Sequence, residues 1–378
     1  MSPRGKDAAP IAAGHIGWPE AVAMLVILAV MKVFEFLPSR LASQAQTAAW
    51  TVPVFSGLLS VPWLWALVSV LKANPGKDIV SITRSEFGPH VAFLLGIAFY
   101  AFNIGITGTV VRESTDAIGA VLLPLTPEMV LISLGLAASL YIALKGPEVT
   151  GRVSIPVVFA MLGLLALLAT LSIGMWVRDS IFPLFGPGIP QLLRTYFVRQ
   201  SVYTELLALG MLAPYLRRPD DMGKVTVRSM ALAVAAMTIA VLVCQMVFPY
   251  PSLTRVIEPL LRVSRILNLG RFLQRTDALL APAWLITGLV HVAISILIGS
   301  LALASTLNGK SMGLLTTITA VAVLVLAFLI PDMSTGIVWG FDILRPYSVV
   351  LLYVWPIALW AATRYRSRTK RQRRRSQR

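Results

Sequence analysis

Residues 18–50 read WPEAVAMLVILAVMKVFEFLPSRLASQAQTAAW, from Trp18 to Trp50. An apolar run of membrane length acquires Lys32, Glu35 and Pro38 before it ends, where an ordinary span would continue in aliphatics. A Lys or Glu at a helix centre costs roughly 2.5–3.5 kcal/mol on insertion scales, so two of them beside a helix-breaking proline need compensation inside the protein. Lys32 lies 14 residues past Trp18, about 21 Å along a helix, beyond the middle of a roughly 30 Å core. The pair therefore either lines a ligand site or faces the outer leaflet boundary.

The rest of the chain places this span among many. Of 378 residues, 57% are hydrophobic and 13% charged, and the mean hydropathy is +0.77, far from the balance of a soluble domain. The chain reads as an all-α integral membrane protein, since lipid offers backbone groups no partners and no ten-residue alternation of a barrel is present. The run after the polar first 17 residues is too long for a signal-peptide core, so the first span is expected to stay in place. The single cysteine, Cys244, excludes an internal disulfide and a cysteine metal cluster, and reads as a small packing residue.

Apolar windows give ten candidate spans, near 18–40, 48–71, 89–121, 127–145, 153–177, 190–215, 225–249, 276–305, 313–330 and 344–363. With both ends inside, 21 of the 33 Lys and Arg fall on the inner side, as the positive-inside rule expects. The connection from Phe248 to Arg275 is the exception. Its Arg255, Glu258, Arg262 and Arg265 fall at helical spacing opposite Ile257, Leu260, Leu261 and Leu267, which predicts a short helix on the outer surface. Inside, Lys72–Gly88 predicts a short interfacial helix after Asn74-Pro75-Gly76, and Lys145–Arg152 a tight turn. Residues 1–363 read as one transmembrane domain, and residues 364–378, with nine basic side chains, as a disordered tail.

The sixth window is also polar inside: Arg194, Arg199, Gln200, Tyr203, Thr204 and Glu205 crowd a dozen residues, and Glu205 stands about 15 Å from the inner end. Windows one and six occupy corresponding places in two halves of five. Interruptions so placed point to the binding site of an inverted-repeat transporter fold.

Several ordered motifs carry a resemblance. They are Pro38 to Trp50 (PSRLASQAQTAAW), Asn74 to Gly88 around PGKDI, Arg112-Glu113, LTPEMV followed by YIALKGPEVTGR, IFPLFGPGI, Tyr203-Thr204-Glu205 with Pro214, and Arg265 to Trp284 (RILNLGRFLQRTDALLAPAW). In these the chain resembles the permease-like B subunit of bacterial spore germination receptors, within the amino acid-polyamine-organocation transporter superfamily. The likeness covers nearly the whole chain and implies ten helices in a leucine-transporter-like 5+5 inverted repeat, with spans one and six broken at mid-membrane. Departures accompany it. Met31 to Leu37 replaces the glycine-led stretch usual before the proline, alanine stands where an acidic residue usually precedes Trp50, and Arg271 and Gln274 stand where the family usually has acidic residues.

The candidate ligand contacts are Lys32, Glu35 and Glu205, with Gln200 and Tyr203 beside them, Asn103 and Thr107 one turn apart in the third span, and His291 in the eighth. The structural alternative is a Lys32–Glu35 pair that satisfies itself while the others hold helices together. Pro38, Arg275 and Asp277 read as structural. Ala304 to Ser311, ASTLNGKS, matches a relaxed phosphate-loop pattern but lacks a strand before it, and no hydrolytic, metal or cofactor chemistry is expected. The tail suits anionic inner-leaflet lipid better than nucleic acid, for no aromatics interleave its charges.

The resemblance implies a nutrient-germinant receptor subunit of the spore inner membrane that binds a small polar ligand, with an A-type and a lipoprotein C-type subunit as partners. A proton- or ion-coupled amino-acid transporter and a non-transporting scaffold remain as alternatives.

Overall fold

The first span bends where its charges lie. In the computed structural model, which describes residues 15–121, 123–267, 277–309 and 311–376, helix α1 (Trp18–Val30) passes into a 3-10 turn at Met31–Val33. Helix α2 (Leu37–Ala45) then leaves at 62° to the first part. Pro38, in the first turn of α2, has no N–H to offer the Phe34 carbonyl. The Phe34 N–H itself makes the tighter bond to the Met31 carbonyl, at 3.1 Å.

A short 3-10 turn at Gln46–Ala48 leads to α3 (Thr51–Ala73) and then to α4 (Ile79–Phe87), the expected interfacial helix. The Asp78 carboxylate caps α4 by accepting the Ser81 N–H at 2.8 Å. Next come α5 (Pro89–Val121), α6 (Glu128–Leu144) and α7 (Gly146–Leu171). The stretch Lys145–Arg152 is thus not a turn but the start of α7. Gly146, at φ +83°, reverses the chain in place and makes a longer connection unnecessary.

The sixth window is the least regular. It holds α8 (Ile189–Val198), a ten-residue 3-10 stretch at Arg199–Ala208, the single turn α9 (Leu209–Leu212) and another 3-10 turn at Ala213–Tyr215. Runs of 3-10 helix beyond three or four residues are uncommon and often mark hinges. Helix α10 (Met222–Val247) follows, then α11 (Pro259–Ile266), α12 (Asp277–Leu307), α13 (Met312–Leu329) and α14 (Met333–Ile337). A π-helical stretch at Val338–Leu344 runs directly into α15 (Arg345–Ser376).

Helix α11 is the short helix expected in the 248–275 connection, but its faces differ from the expected ones. Glu258 precedes it in the left-handed region (φ +53°) and is buried, while Ile257 is exposed. One reversed residue ahead of the helix exchanges their sides. Burial raises the Glu258 carboxyl above its usual range, against the pull of Arg265 and Arg262. Arg275 lies outside the described residues, and Asp277 opens α12. Helix α15 continues to Ser376, through basic residues for which the sequence predicts no regular structure.

All ten windows contain helix. Among the described residues seven helices are long and apolar enough to cross a membrane by themselves, or eight with the bent pair, while α6 has 17 residues and the sixth window is broken into short pieces. The chain is a multi-pass membrane protein, and apolar side chains such as Leu58, Leu94, Leu134, Phe159 and Val350 form its exposed, lipid-facing surface. Helix α1 is buried from Ala21 to Val30, enclosed by α7, α10, α12 and the 199–208 stretch. Among the described residues there is no β-strand. One parallel bridge joins Ile16 to Leu216, tying the start of the first window to the end of the sixth.

Candidate functional site

The two interrupted windows meet through Lys32. Its ammonium donates to the Ala29 carbonyl at 2.7 Å and the Val202 carbonyl at 2.9 Å, so it serves carbonyls on both broken segments. Its third partner is the Glu205 carboxylate, with Nζ 3.1 Å from Oε1. Lys32 and Glu35 do not pair with each other. As the chain turns through Met31–Val33, Lys32 is directed to the sixth window, and Glu35 instead accepts a hydrogen bond from Ser114 Oγ of α5 at 3.1 Å.

Glu205 has a second cation. Arg345, the first residue of α15, donates through Nη1 to the same Oε1 at 2.5 Å, and both cations are 2% exposed. One carboxylate between two buried cations is the kind of charge-assisted arrangement that survives in low dielectric because each partner is hydrogen-bonded. Glu205 Oε2 and Arg345 Nε have no partner among the described residues. Sequence reasoning missed Arg345, because a basic residue heading an apolar window looks like an interface anchor. The only signal was Asp342 and Arg345 together just before Pro346.

Glu205 lines a small cavity with Asn103, Thr107, Thr204, His291 and Ser295, closed on its apolar side by Leu28, Phe99 and Phe102. Its volume is about 20 Å³, room for roughly one water. Asn103 donates to the Ser295 carbonyl at 2.8 Å, and Thr107 to the Asn103 carbonyl at 2.6 Å. His291 Nδ1 stands 3.5 Å from the Ile27 carbonyl. Any larger ligand requires this arrangement to open.

Gln200 and Tyr203 turn elsewhere. Tyr203 donates its hydroxyl to the Pro53 carbonyl of α3 at 2.6 Å, and Gln200 Oε1 accepts from the Tyr353 hydroxyl of α15. The 3-10 winding explains the sorting, because residues three apart eclipse each other. Arg199, Val202 and Glu205 share one line, and Gln200 and Tyr203 share another.

Glu35 lies on a second cavity of about 210 Å³, between α2, residues 254–258 and α14, with Ser39, Arg40, Arg255 and Glu258 in its wall. Phe36 lines it too and packs edge-on against Phe341, with ring centroids 5.2 Å apart. Beside these rings Asp342 binds Arg199 at 3.2 Å and Arg40 at 3.6 Å, and Arg199 also donates to the Phe341 carbonyl at 2.8 Å. The π-helical stretch supplies both acceptors. At the other end of α12, Ser305 donates to Asp78 at 2.8 Å and Arg84 reaches Asn308 at 2.6 Å, which fastens α4 over the end of that helix. Residues 304–307 of the phosphate-loop-like pattern are therefore the last turn of α12, not a loop after a strand, and Lys310 lies outside the described residues.

Comparison with known proteins follows the same lines. The family model described as spore germination protein matches residues 16–335. Spore germination protein B2 of Bacillus subtilis (strain 168) is 21% identical over 66% of this chain and 68% of its own length. The putative spore germination protein YfkT of the same organism is 24% identical over 69% and 72%. Among solved structures, MhsT in complex with L-phenylalanine aligns with a TM-score of 0.64 at 11% identity, covering 94% of this chain and 97% of that one. MHP1, a nucleobase-cation-symport-1 family transporter solved closed with bromovinylhydantoin bound, aligns at 0.62 with 15% identity, over 92% and 78%. The shared fold is the leucine-transporter-like one.

Proposed function

Because the chain belongs to the spore germination protein family, we propose that it is a germinant receptor subunit which binds a small polar molecule, of the amino-acid class, between its two broken segments. The observation that carries this reading is Glu205. It is buried on the 3-10 stretch, held through one oxygen by Lys32 and Arg345, and leaves its other oxygen unpartnered in a residue that lines a polar cavity. A ligand ammonium would take that oxygen, while Asn103, Thr107 and His291 supply further polar contacts. Lys32 already has three partners, so its role is to hold the two segments together. Glu35 faces the 210 Å³ cavity, from which the ligand would enter.

Signalling follows as a shift between arrangements of the two segments, and the ligand biases it only through its difference in affinity for them. The receptor complex would add an A-type and a C-type subunit in the spore inner membrane, with both chain ends on the cytoplasmic side and the basic tail against anionic lipid. The alternative transporter reading rests on the fold alone, which a Na+-coupled sialic acid symporter shares at TM-score 0.65 and 10% identity.

The test is saturable binding to the full chain in lipid, scanned over amino acids, sugars and nucleosides. Binding abolished by Glu205→Gln and retained by Gln200→Ala supports the site. Uptake into proteoliposomes would then favour the transporter over the receptor. No saturable binding, alone or with co-expressed partner subunits, would sink the ligand reading and leave a scaffold.

A further inference from the structure

The two most deeply buried carboxyls, Glu35 and Glu113, have no counter-ion among the described residues. Glu35 is 0% and Glu113 1% exposed, and among the described residues no cation lies within ion-pair distance of either. Glu35 Oε1 accepts only the Ser114 hydroxyl, and Oε2 accepts nothing. Glu113 precedes Ser114 on α5, and its Oε2 is likewise unpartnered. Its Cγ and Oε1 pack on Gly336 of α14, so closely that a Cβ there would stand 3.3 and 3.4 Å away.

The charges around the pair come from every neighbouring element. Around Glu35 they are Arg345 of α15, Lys32 on its own turn, Glu258 of the 254–258 segment and the polar Ser114 of α5, with Arg40 of α2 and Arg255 in the wall of the same cavity. Around Glu113 they are first Glu35 itself, then Arg345 of α15, Arg40 of α2 and Asp116 of α5. Helix α14 offers Gly336 and Ser334, and α12 offers Gly288 beside Ser114, none of them charged. Lys32 and Arg345 are engaged by Glu205, and Arg40 by Asp342. A buried carboxylate without a partner costs several kcal/mol, and a second one close enough to act on it adds repulsion. Neutralisation by a proton removes both terms.

We propose that Glu35 and Glu113 form a proton-binding site, loaded from the 210 Å³ cavity at Glu35, in which the pair holds one proton between its two carboxyls. The step is a transfer of H+ from a hydronium or water in the cavity to a carboxylate oxygen; an O–H bond forms, the donor's O–H bond breaks, and no electrons change hands. Loss of the proton leaves two neighbouring carboxylates, whose repulsion pushes the turn before α2 from α5 and loosens the wall of the cavity that Glu35 lines. The pair thus makes the bend of the first segment respond to pH on the side where that cavity opens. None of this depends on the germinant reading.

Infrared difference spectra of the full chain in lipid nanodiscs, recorded across pH in H2O and D2O, test the proposal without any ligand. The expected result is a protonated-carboxyl C=O band that shifts in D2O, fades as pH rises, changes its titration midpoint in Glu35→Gln and in Glu113→Gln, and is lost in the double variant. The proposal is overturned if the wild type shows no such band at any pH, a result that needs no variant to fold. It is equally overturned if the double variant keeps the band unchanged, or if sodium at constant pH removes it, which would make the pair a cation site.

Discussion

The two interrupted segments solve the same problem in opposite ways. The first breaks once, at a 3-10 turn beside Pro38, and bends by 62°, so its two charges leave in different directions. The sixth has no proline within its polar stretch, and it is broken by winding, as a 3-10 helix for ten residues between α8 and α9. Its polar groups are therefore sorted by a period of three: Arg199 and Glu205 both reach the 341–345 region, while Gln200 and Tyr203 reach α15 and α3. A bend redirects the chain, whereas tight winding redirects side chains.

Removing Glu205 strikes both at once. Glu205→Gln leaves Lys32 and Arg345 buried without a counter-ion, and losing one partner of a buried ion pair typically costs about 3–5 kcal/mol. Thermal unfolding in lipid should register the largest drop of any single substitution at the site. An unchanged melting temperature would mean that the two segments are not joined there. Lys32→Met is a narrower cut. Glu205 keeps Arg345, and the main loss is the donor shared by the Ala29 and Val202 carbonyls, about 1–3 kcal/mol. The double variant should show coupling of roughly 0.5–3 kcal/mol in a double-mutant cycle; simple additivity would separate the segments energetically.

The sequence exposed both segments because ionisable residues in apolar windows stand out by cost alone, and Lys32 and Glu205 were legible for that reason. What it hid was pairing. Lys32 and Glu35, three apart, look like neighbours on one helix turn, and only the 3-10 turn between α1 and α2 sends them to different walls. Gln200 and Tyr203 look as inward as Glu205 until the period falls from 3.6 to 3.0. Arg345 and Glu113 carry no such signal. The first begins a window, and the second follows Arg112 near the end of one, where charge is ordinary. A series of apolar helices was clear from hydropathy, while the reversal at Gly146 and the left-handed Glu258 depend on single backbone angles that composition does not record.

The Asp342 contacts should weigh less than the Glu205 centre, since Asp342 and Arg40 are each about one-third exposed and buried Arg199 keeps Gln44 and the Phe341 carbonyl as partners. Screened pairs of this kind are worth roughly 0–1 kcal/mol. Asp342→Asn is therefore expected to leave the melting temperature nearly unchanged while raising the labelling rate of a cysteine at Ser39 by a water-soluble thiol reagent, with buried Cys244 as the internal control. A large stability loss without faster labelling would make Asp342 part of the core rather than of a movable closure.

The smallest energetic effect, and the sharpest on geometry, belongs to Pro38→Ala. The substitution restores an N–H that can reach the Phe34 carbonyl, and a first-turn proline is replaced at a cost or gain of about 0.4–1 kcal/mol, so stability barely registers it. Spin labels at Trp18 and Ser43, both exposed, would read the angle between α1 and α2 in a Cys244→Ser background. If the proline sets the bend, the label distance lengthens and the 62° bend decreases. If the distance holds, the bend is imposed from outside, by Lys32 drawn to Val202 on one side and Glu35 held by Ser114 on the other. The same labels in Lys32→Met then decide it, because only in that second case does cutting the tie to the sixth segment straighten the first.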